Sequence, residues 1–266
     1  MLRLFVVLLG ISNSLTWADE LKLGIGAFGM SLPSYPGSDE RHNYFVPLPF
    51  VYYQSDQLSI DREGINRHLW EKGRWQFDIS ANAGLPVESE KNSARQGMAD
   101  LDWRFELGPA LKYYFRGQPS VDERTFAELY VRKAITTDFS HIDDAGWFAG
   151  FSFTHQQPLF ESTNEKWLWT IELDVRMASD KAHQYYYGVT EQEALPERSA
   201  FEASGGYWGS QLSSGVVYKQ GNWWMAGFAR YQGLTGSQSE SSPLLKQSHQ
   251  WLIGLGVVWI FYDKEI

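Results

Sequence analysis

Residues 99–116, ADLDWRFELGPALKYYFR, decide how the chain is read. Leu101, Trp103, Phe105, Leu107, Pro109, Leu111, Tyr113 and Phe115 share one parity. Asp102, Arg104, Glu106, Gly108, Ala110, Lys112, Tyr114 and Arg116 share the other. A period of two belongs to a β-strand, here with one apolar and one charged face. In a soluble sandwich the apolar face packs on a second sheet and the charged face meets water. In a membrane barrel the apolar face meets lipid and the charged face lines the lumen. This strand alone fits both, and the rest of the chain separates them.

The alternation recurs along the sequence. It runs through residues 21–28, 75–85, 127–132, 147–154, 167–177, 208–218, 223–232 and 250–262. In 44–52, Tyr44, Val46, Leu48, Phe50 and Tyr52 alternate with Pro47 and Pro49 on the opposite parity. Proline donates nothing to a ladder, so an irregular or edge-like section is expected there. Residues 57–70 alternate weakly and change parity near Gly64, which suggests a bulge. Gln220-Gly221-Asn222 reads as a hairpin turn. Long polar loops are expected at 86–98, around 185–198 and at 233–247. The count is about twelve strands, with ten as the alternative, of roughly ten residues each, the length a tilted strand needs to cross a bilayer. Short turns at one rim and long loops at the other suit an antiparallel barrel. No helix-period segment of useful length and no internal repeat is found.

Composition narrows the choice. The 266 residues include 12 Trp, 14 Tyr and 16 Phe but no Cys. A mean hydropathy of -0.36 is too polar for a bundle of membrane helices. Residues 1–18 read as a secretory signal: Arg3, an apolar run over 4–11, then Thr16-Trp17-Ala18 as the cleavage site. Cleavage after Ala18 leaves residues 19–266 as one barrel domain and takes the formal net charge from -9 to -10 by removing Arg3. That acidity argues against a nucleic-acid partner, which needs a basic face. An exported chain of this size without cysteine must be stabilised by its ladder and its packing. Trp75, Trp147, Trp167, Trp169, Trp223, Trp224 and Tyr113 lie near strand ends, where a ring with a polar handle suits the lipid–headgroup boundary. A transmembrane barrel accounts for signal, strand length and missing cysteines together; a soluble β-protein accounts for the alternation alone.

The inner parity carries balanced charges: Asp78, Asp102, Arg104, Glu106, Lys112, Glu128, Arg132, Glu172, Asp174 and Arg176. One reading is a solute path with fixed charges. The other is an interior plugged by ion pairs. At about twelve strands the bore is only modestly wider than a side-chain-filled eight-strand barrel, which favours the plug. No catalytic set is apparent. Among six histidines only His155 shares a strand end with nearby hydroxyls, and Ser152 and Thr154 are both on the opposite parity. Asp138, His141, Asp143 and Asp144 match no defined calcium loop and read as a hydrated acidic turn. Gly24, Gly26 and Gly29 precede no helix and so are no phosphate loop. No catalytic, metal or cofactor residue is assigned.

Four short motifs then carry a resemblance. Tyr35-Pro36-Gly37-Ser38, followed by Pro47-Leu48-Pro49, resembles the N-terminal signature of the MipA/OmpV family of Gram-negative outer-membrane proteins. Tyr186-Tyr187-Gly188-Val189, with Ala194 shortly after, resembles its central motif. Ser241-Ser242-Pro243-Leu244 resembles its late Asp-Ser-Pro motif, with Ser241 where the family usually has Asp, and the aromatic final strand is similar too. The chain differs in continuing through Asp263-Lys264-Glu265-Ile266 beyond Phe261 and Tyr262. The resemblance implies a barrel of the outer membrane, wetted by its lipid, that brings no catalytic residues. It also implies a scaffold joining a lytic murein transglycosylase to a murein synthase. A narrow channel for small solutes and a surface adhesin are the alternatives, and an embedded lipid-modifying enzyme is the least supported.

Overall fold

The computed structural model describes residues 20–54, 58–61, 64–119 and 121–265. The expected signal segment lies outside them. Twelve antiparallel strands follow in order: β1 (Glu20–Pro33), β2 (Arg41–Gln54), β3 (Leu58–Asp61), β4 (Gly64–Lys72), β5 (Trp75–Gly84), β6 (Trp103–Arg116), β7 (Arg124–Thr137), β8 (Ile142–Glu161), β9 (Glu165–Ala178), β10 (Gly206–Gln220), β11 (Trp223–Gly233) and β12 (His249–Glu265). Every strand pairs with its sequence neighbours, and β1 pairs with β12 from Glu20↔Glu265 to Ser31↔Ile253, closing the barrel. Closure between β1 and β12 removes the two terminal edges that an open sheet of this size would present, leaving β2 as an edge above its short pairing with β3.

The opening stretch shows the logic. In β6, Arg104, Glu106, Lys112 and Tyr114 are buried, while Phe105, Leu107 and Phe115 are exposed. Elsewhere Leu129, Leu173, Met177 and Leu255 are exposed too, Leu255 by 69%. Charge is inside and hydrocarbon outside, the inverse of a water-soluble protein, so the matching surroundings are lipid. The two terminal strand ends share one rim with tight turns at Gly73-Arg74 and Gly221-Asn222. Gly73 and Gly221 have φ of 65° and 51°, the left-handed backbone such reversals use. The opposite rim carries the long connections 34–40, 85–102, 179–205 and 234–248.

Four local expectations change. The weak stretch 57–70 is a hairpin, β3 and β4, with Ile60↔Ile65 and Asp61↔Gly64. The parity change near Gly64 is therefore a chain reversal, not a bulge; the irregularity of β4 against β5 lies between His68 and Trp70. In β2 the alternating apolar parity faces inward. Tyr44, Val46, Phe50 and Tyr52 share the face of Phe28 and Gly26, while Pro47, Pro49 and Phe45 face outward, Phe45 with 76% exposure. β2 pairs along its length with β1 but with β3 only at Tyr53 and Gln54, so its edge-like character stands. Trp75, Trp147, Trp167 and Trp223 are exposed, and Trp75 packs on Tyr113 at 4.7 Å between centroids. Trp224 instead points into the bore, against Phe50 at 5.6 Å and Tyr52 at 5.3 Å, with Lys219 Nζ 4.0 Å above its ring. Its neighbour Trp223 takes the outward place, as the period of two requires. Finally, the loop expected around 185–198 begins with a helix, α1 (Asp180–Tyr187). Its buried face is Ala182, His183, Tyr186 and Tyr187. Two turns are too few for a helical period to stand out in the sequence.

Candidate functional site

The charged side of the bore is built on β5–β9. Lys112 and Glu128 are direct partners across β6 and β7. Lys112 Nζ lies 3.4 Å from Asp78 Oδ2 and 3.6 Å from Glu128 Oε2. Gln76 Nε2 donates to both Asp78 oxygens at 2.9 Å, and Tyr114 donates to Gln76 Oε1 at 2.9 Å. Arg132 reaches Glu128 at 3.3 Å, donates from Nε to Ser80 Oγ at 2.9 Å and covers the Tyr130 ring at 3.9 Å. Tyr130 donates to Asp174 Oδ2 at 2.9 Å, and Arg176 Nε donates to Asp174 Oδ1 at 2.6 Å. Arg104 pairs with Glu106 at 3.1 Å. Such desolvated charges persist because each has an opposite charge or a donor beside it. Gly150 makes room for this network: a Cβ there would lie 2.3 Å from the Tyr130 hydroxyl.

Of the ten charges expected on the inner parity, Asp78, Arg104, Glu106, Lys112, Glu128, Arg132, Asp174 and Arg176 join this wall. Glu172 shares the inward face of Asp174 one step further along β9, half-buried. Asp102 does not join it. It precedes β6 and belongs to the long-loop rim, where its carbonyl accepts the Tyr185 hydroxyl at 3.3 Å.

The long loops fold over that rim as a cap. Tyr35, Leu101, Tyr186, Tyr187, Trp208 and Leu244 form its buried core. Most positions of the sequence motifs meet there. Tyr35 donates to the Leu244 carbonyl at 2.8 Å, and Tyr187 donates to the Pro36 carbonyl at 3.0 Å. Ser242 donates to the Tyr187 carbonyl at 2.7 Å, and Asn92 donates to Ser38 Oγ at 3.1 Å. The Gly37 carbonyl accepts from Lys246 and Gln247 at 2.7 and 2.9 Å. Gly37 has φ of 89°, and a Cβ on it would meet Leu245 at 2.9 Å. Gly188 ends α1 with its N–H on the Gln184 carbonyl, and Val189 bridges to Phe201. Pro243 lies between Ser242 and Leu244, both buried in the cap. Pro47 and Pro49 lie outside this assembly, on the outer face of β2. Arg95 and Arg198 tie the loops through carbonyls: Arg95 to Tyr186 at 3.2 Å, Arg198 to Ala94 at 3.1 Å and Gln96 at 2.9 Å. Burial pushes the Tyr35 hydroxyl pKa up, so it donates at every physiological pH. Arg104 joins cap to wall, its guanidinium 4.9 Å from the Phe148 ring and 5.4 Å from that of Tyr186.

The remaining candidates hold no reactive geometry. His155 accepts or donates with Thr125 Oγ1 at 2.8 Å, while Ser152 and Thr154 face the other way, buried in the bore. In the acidic turn, Asp138 caps its own loop. The Ser140 hydroxyl and the His141 and Ser140 N–H groups hold its carboxyl down to about 2. Asp144 is shared by Lys133 and by Lys181, the latter at 3.0 Å. Sequence reasoning missed one pair: His183 Nδ1 and Ser239 Oγ are 2.7 Å apart in the cap core. Both are fully buried, so the hydroxyl reaches no substrate. The two come from loops 56 positions apart, a contact no spacing rule signals.

A search among curated proteins finds no match to the chain. Among solved structures, a Pseudomonas aeruginosa FadL homologue is similar at 9% identity and a TM-score of 0.34, over 90% of this chain and 68% of that one. The Pseudomonas putida toluene transporter TodX is similar at 9% identity and a TM-score of 0.26, over 92% of this chain and 69% of that one. A family model described as "MltA-interacting protein MipA" matches residues 25–261, nearly the whole described barrel and every motif of its cap. The chain belongs to the MipA family.

Proposed function

We propose that the protein is a non-enzymatic barrel of the Gram-negative outer membrane that holds a murein-processing enzyme at the membrane's inner face. The partner class follows the family's description, which specifies interaction with the enzyme MltA; a link onward to a murein synthase extends the same reading. The observation that carries it is the closed rim. A cap with its own hydrophobic core covers one end of the barrel, and an ion-paired wall fills the bore beneath it on one side. An open pore needs neither. The rim with both terminal strand ends is left to present a surface, studded with charged side chains such as Arg116, Glu123, Glu161 and Lys166. Export uses residues 1–18, removed after Ala18, and the outward apolar face contacts outer-membrane lipid.

Binding of a purified lytic murein transglycosylase to the barrel in lipid nanodiscs tests this. Saturable binding that weakens at least tenfold when Arg116 and Lys166 are reversed to Glu supports the scaffold. Absence of binding to the wild-type barrel at any attainable concentration refutes it.

A further inference from the structure

The inner surface has a second sector with different chemistry. Around β11, β12, β1 and β2, the inward positions are Phe28, Met30, Leu252, Phe228, Val258 and their neighbours. Gly254 and Gly256 form the floor. A Cβ on Gly254 would lie 2.3 Å from Phe228 Cε1, and one on Gly256 would lie 2.5 Å from Phe28 Cδ1. Both rings therefore lie flat on glycine backbone instead of crossing the bore. The space this leaves is measurable: Phe228 points inward and yet is 37% exposed.

Arg230 stands one inward step from Phe228, directly opposite Leu252. Its Nε donates to Ser213 Oγ at 2.9 Å. Arg104, Arg132 and Arg176 each have a carboxylate within 3.3 Å. Arg230 makes no such ion pair among the described residues, although Glu172, one strand beyond Ser213 on the same rung, and Asp174 attract it from further off and Arg176 repels it. A guanidinium in a bore, with apolar wall on one side and no carboxylate in direct contact, can still take an anionic headgroup, with a fork that matches a carboxylate in two hydrogen bonds. From Arg230 to Trp224 the strand runs six residues, about 20 Å. The cap roofs the upper end: Gly37 N–H donates to Gln250 Oε1 at 3.1 Å, and Gln250 in turn donates to Gln232, the inward residue above Arg230.

We propose that this sector is a binding trough for a single-chain amphipathic carboxylate, its acid group on Arg230 beneath the cap and its alkyl chain along Phe228 and Phe28. The apolar wall supplies affinity through buried hydrocarbon, and Arg230, the cation at the capped end, supplies headgroup choice, while Lys219 and Lys22 stand over Trp224 at the far end. This reading goes beyond the scaffold role and is independent of any murein enzyme.

Native mass spectrometry of the detergent-solubilised full barrel tests it, with palmitate, hexadecanol and hexadecylamine as probes. The expected result is one palmitate per barrel, held at least tenfold more tightly than either other probe. Arg230→Met should reduce palmitate to the hexadecanol level, and Arg230→Lys should retain the preference. Ala226→Phe, which projects a ring into the trough from a position opposite Gly256, should weaken palmitate and hexadecanol together. Heat-modifiable gel migration verifies that each variant is folded; should Arg230→Met fail to insert, the other two variants decide. Equal retention of all three probes, palmitate binding unchanged by Arg230→Met, or adducts that multiply with concentration and ignore Ala226→Phe would each overturn the proposal.

Discussion

Ser242 donates its hydroxyl proton to the main-chain carbonyl of Tyr187 across 2.7 Å, joining two loops from opposite parts of the sequence. Both residues are buried, and the same Ser242 oxygen accepts from the Leu244 N–H at 3.2 Å. This contact locks the connection before β12 onto the helix that precedes β10.

Removing it should loosen the cap without unfolding the barrel. Ser242→Ala leaves a buried carbonyl and N–H without their partner, at a cost of about 1–3 kcal/mol. Hydrogen exchange should accelerate in 179–205 and 234–248, while β5–β9 stay protected. Equal acceleration in cap and wall would contradict the separation of the two.

The wall makes a stronger demand. Lys112→Met removes the cation that Asp78 and Glu128 share and leaves two buried carboxylates with Gln76 and Arg132 beside them, with an expected loss of about 3–5 kcal/mol, read as a lower urea midpoint for the folded gel band. Adding Asp78→Asn and Glu128→Gln should recover more than half of that loss, because neutral partners no longer need the cation. A triple variant no better than the single one would show that Lys112 acts by packing alone.

The cap should be sensitive to acid. Burial holds His183 below its usual pKa, against the smaller opposing effects of the Gly206 carbonyl and Asp180. Its rings of contact are Tyr187 and Trp208, neither charged, and its polar partner is the neutral Ser239. The folded state thus binds fewer protons than the unfolded chain. The His183 contribution is complete above the ordinary histidine value of about 6.5 and is lost as pH falls below it. Protection factors in α1, with the intrinsic pH dependence of exchange divided out, should therefore fall between pH 7.5 and pH 5, and His183→Asn should flatten that dependence.

Much of this architecture was legible in the sequence because a barrel wall is a one-dimensional code. Residues 99–116 alternate, and β6 places each parity where a period of two says it must. The code fails where the two faces are not opposite in polarity. Tyr44, Val46, Phe50 and Tyr52 look like a lipid face but line the bore, because the sector they face is apolar as well. Trp224 looks like an interfacial ring for the same reason, yet it points into the bore beside Tyr52 while its neighbour Trp223 faces outward. The cap was legible only as scattered motifs. Tyr35, Tyr187 and Ser242 meet through hydrogen bonds to carbonyls, and no local periodicity encodes a contact between loops so far apart. Asp102 falls outside the wall because the alternation in the sequence starts ahead of β6, which begins only at Trp103.

The most direct test of the central claim uses the absence of native cysteine. Single cysteines along β12, at Leu252, Ile253, Leu255, Val257 and Val258, would carry spin labels in a lipid bilayer. Ile253, Leu255 and Val257 should be relaxed by dissolved oxygen and shielded from a water-soluble nickel chelate, while Leu252 and Val258, on the inward parity, should break that pattern. Uniform relaxation of all five by the nickel chelate would mean that water, not hydrocarbon, wets the outer face, and the barrel would not be a membrane protein.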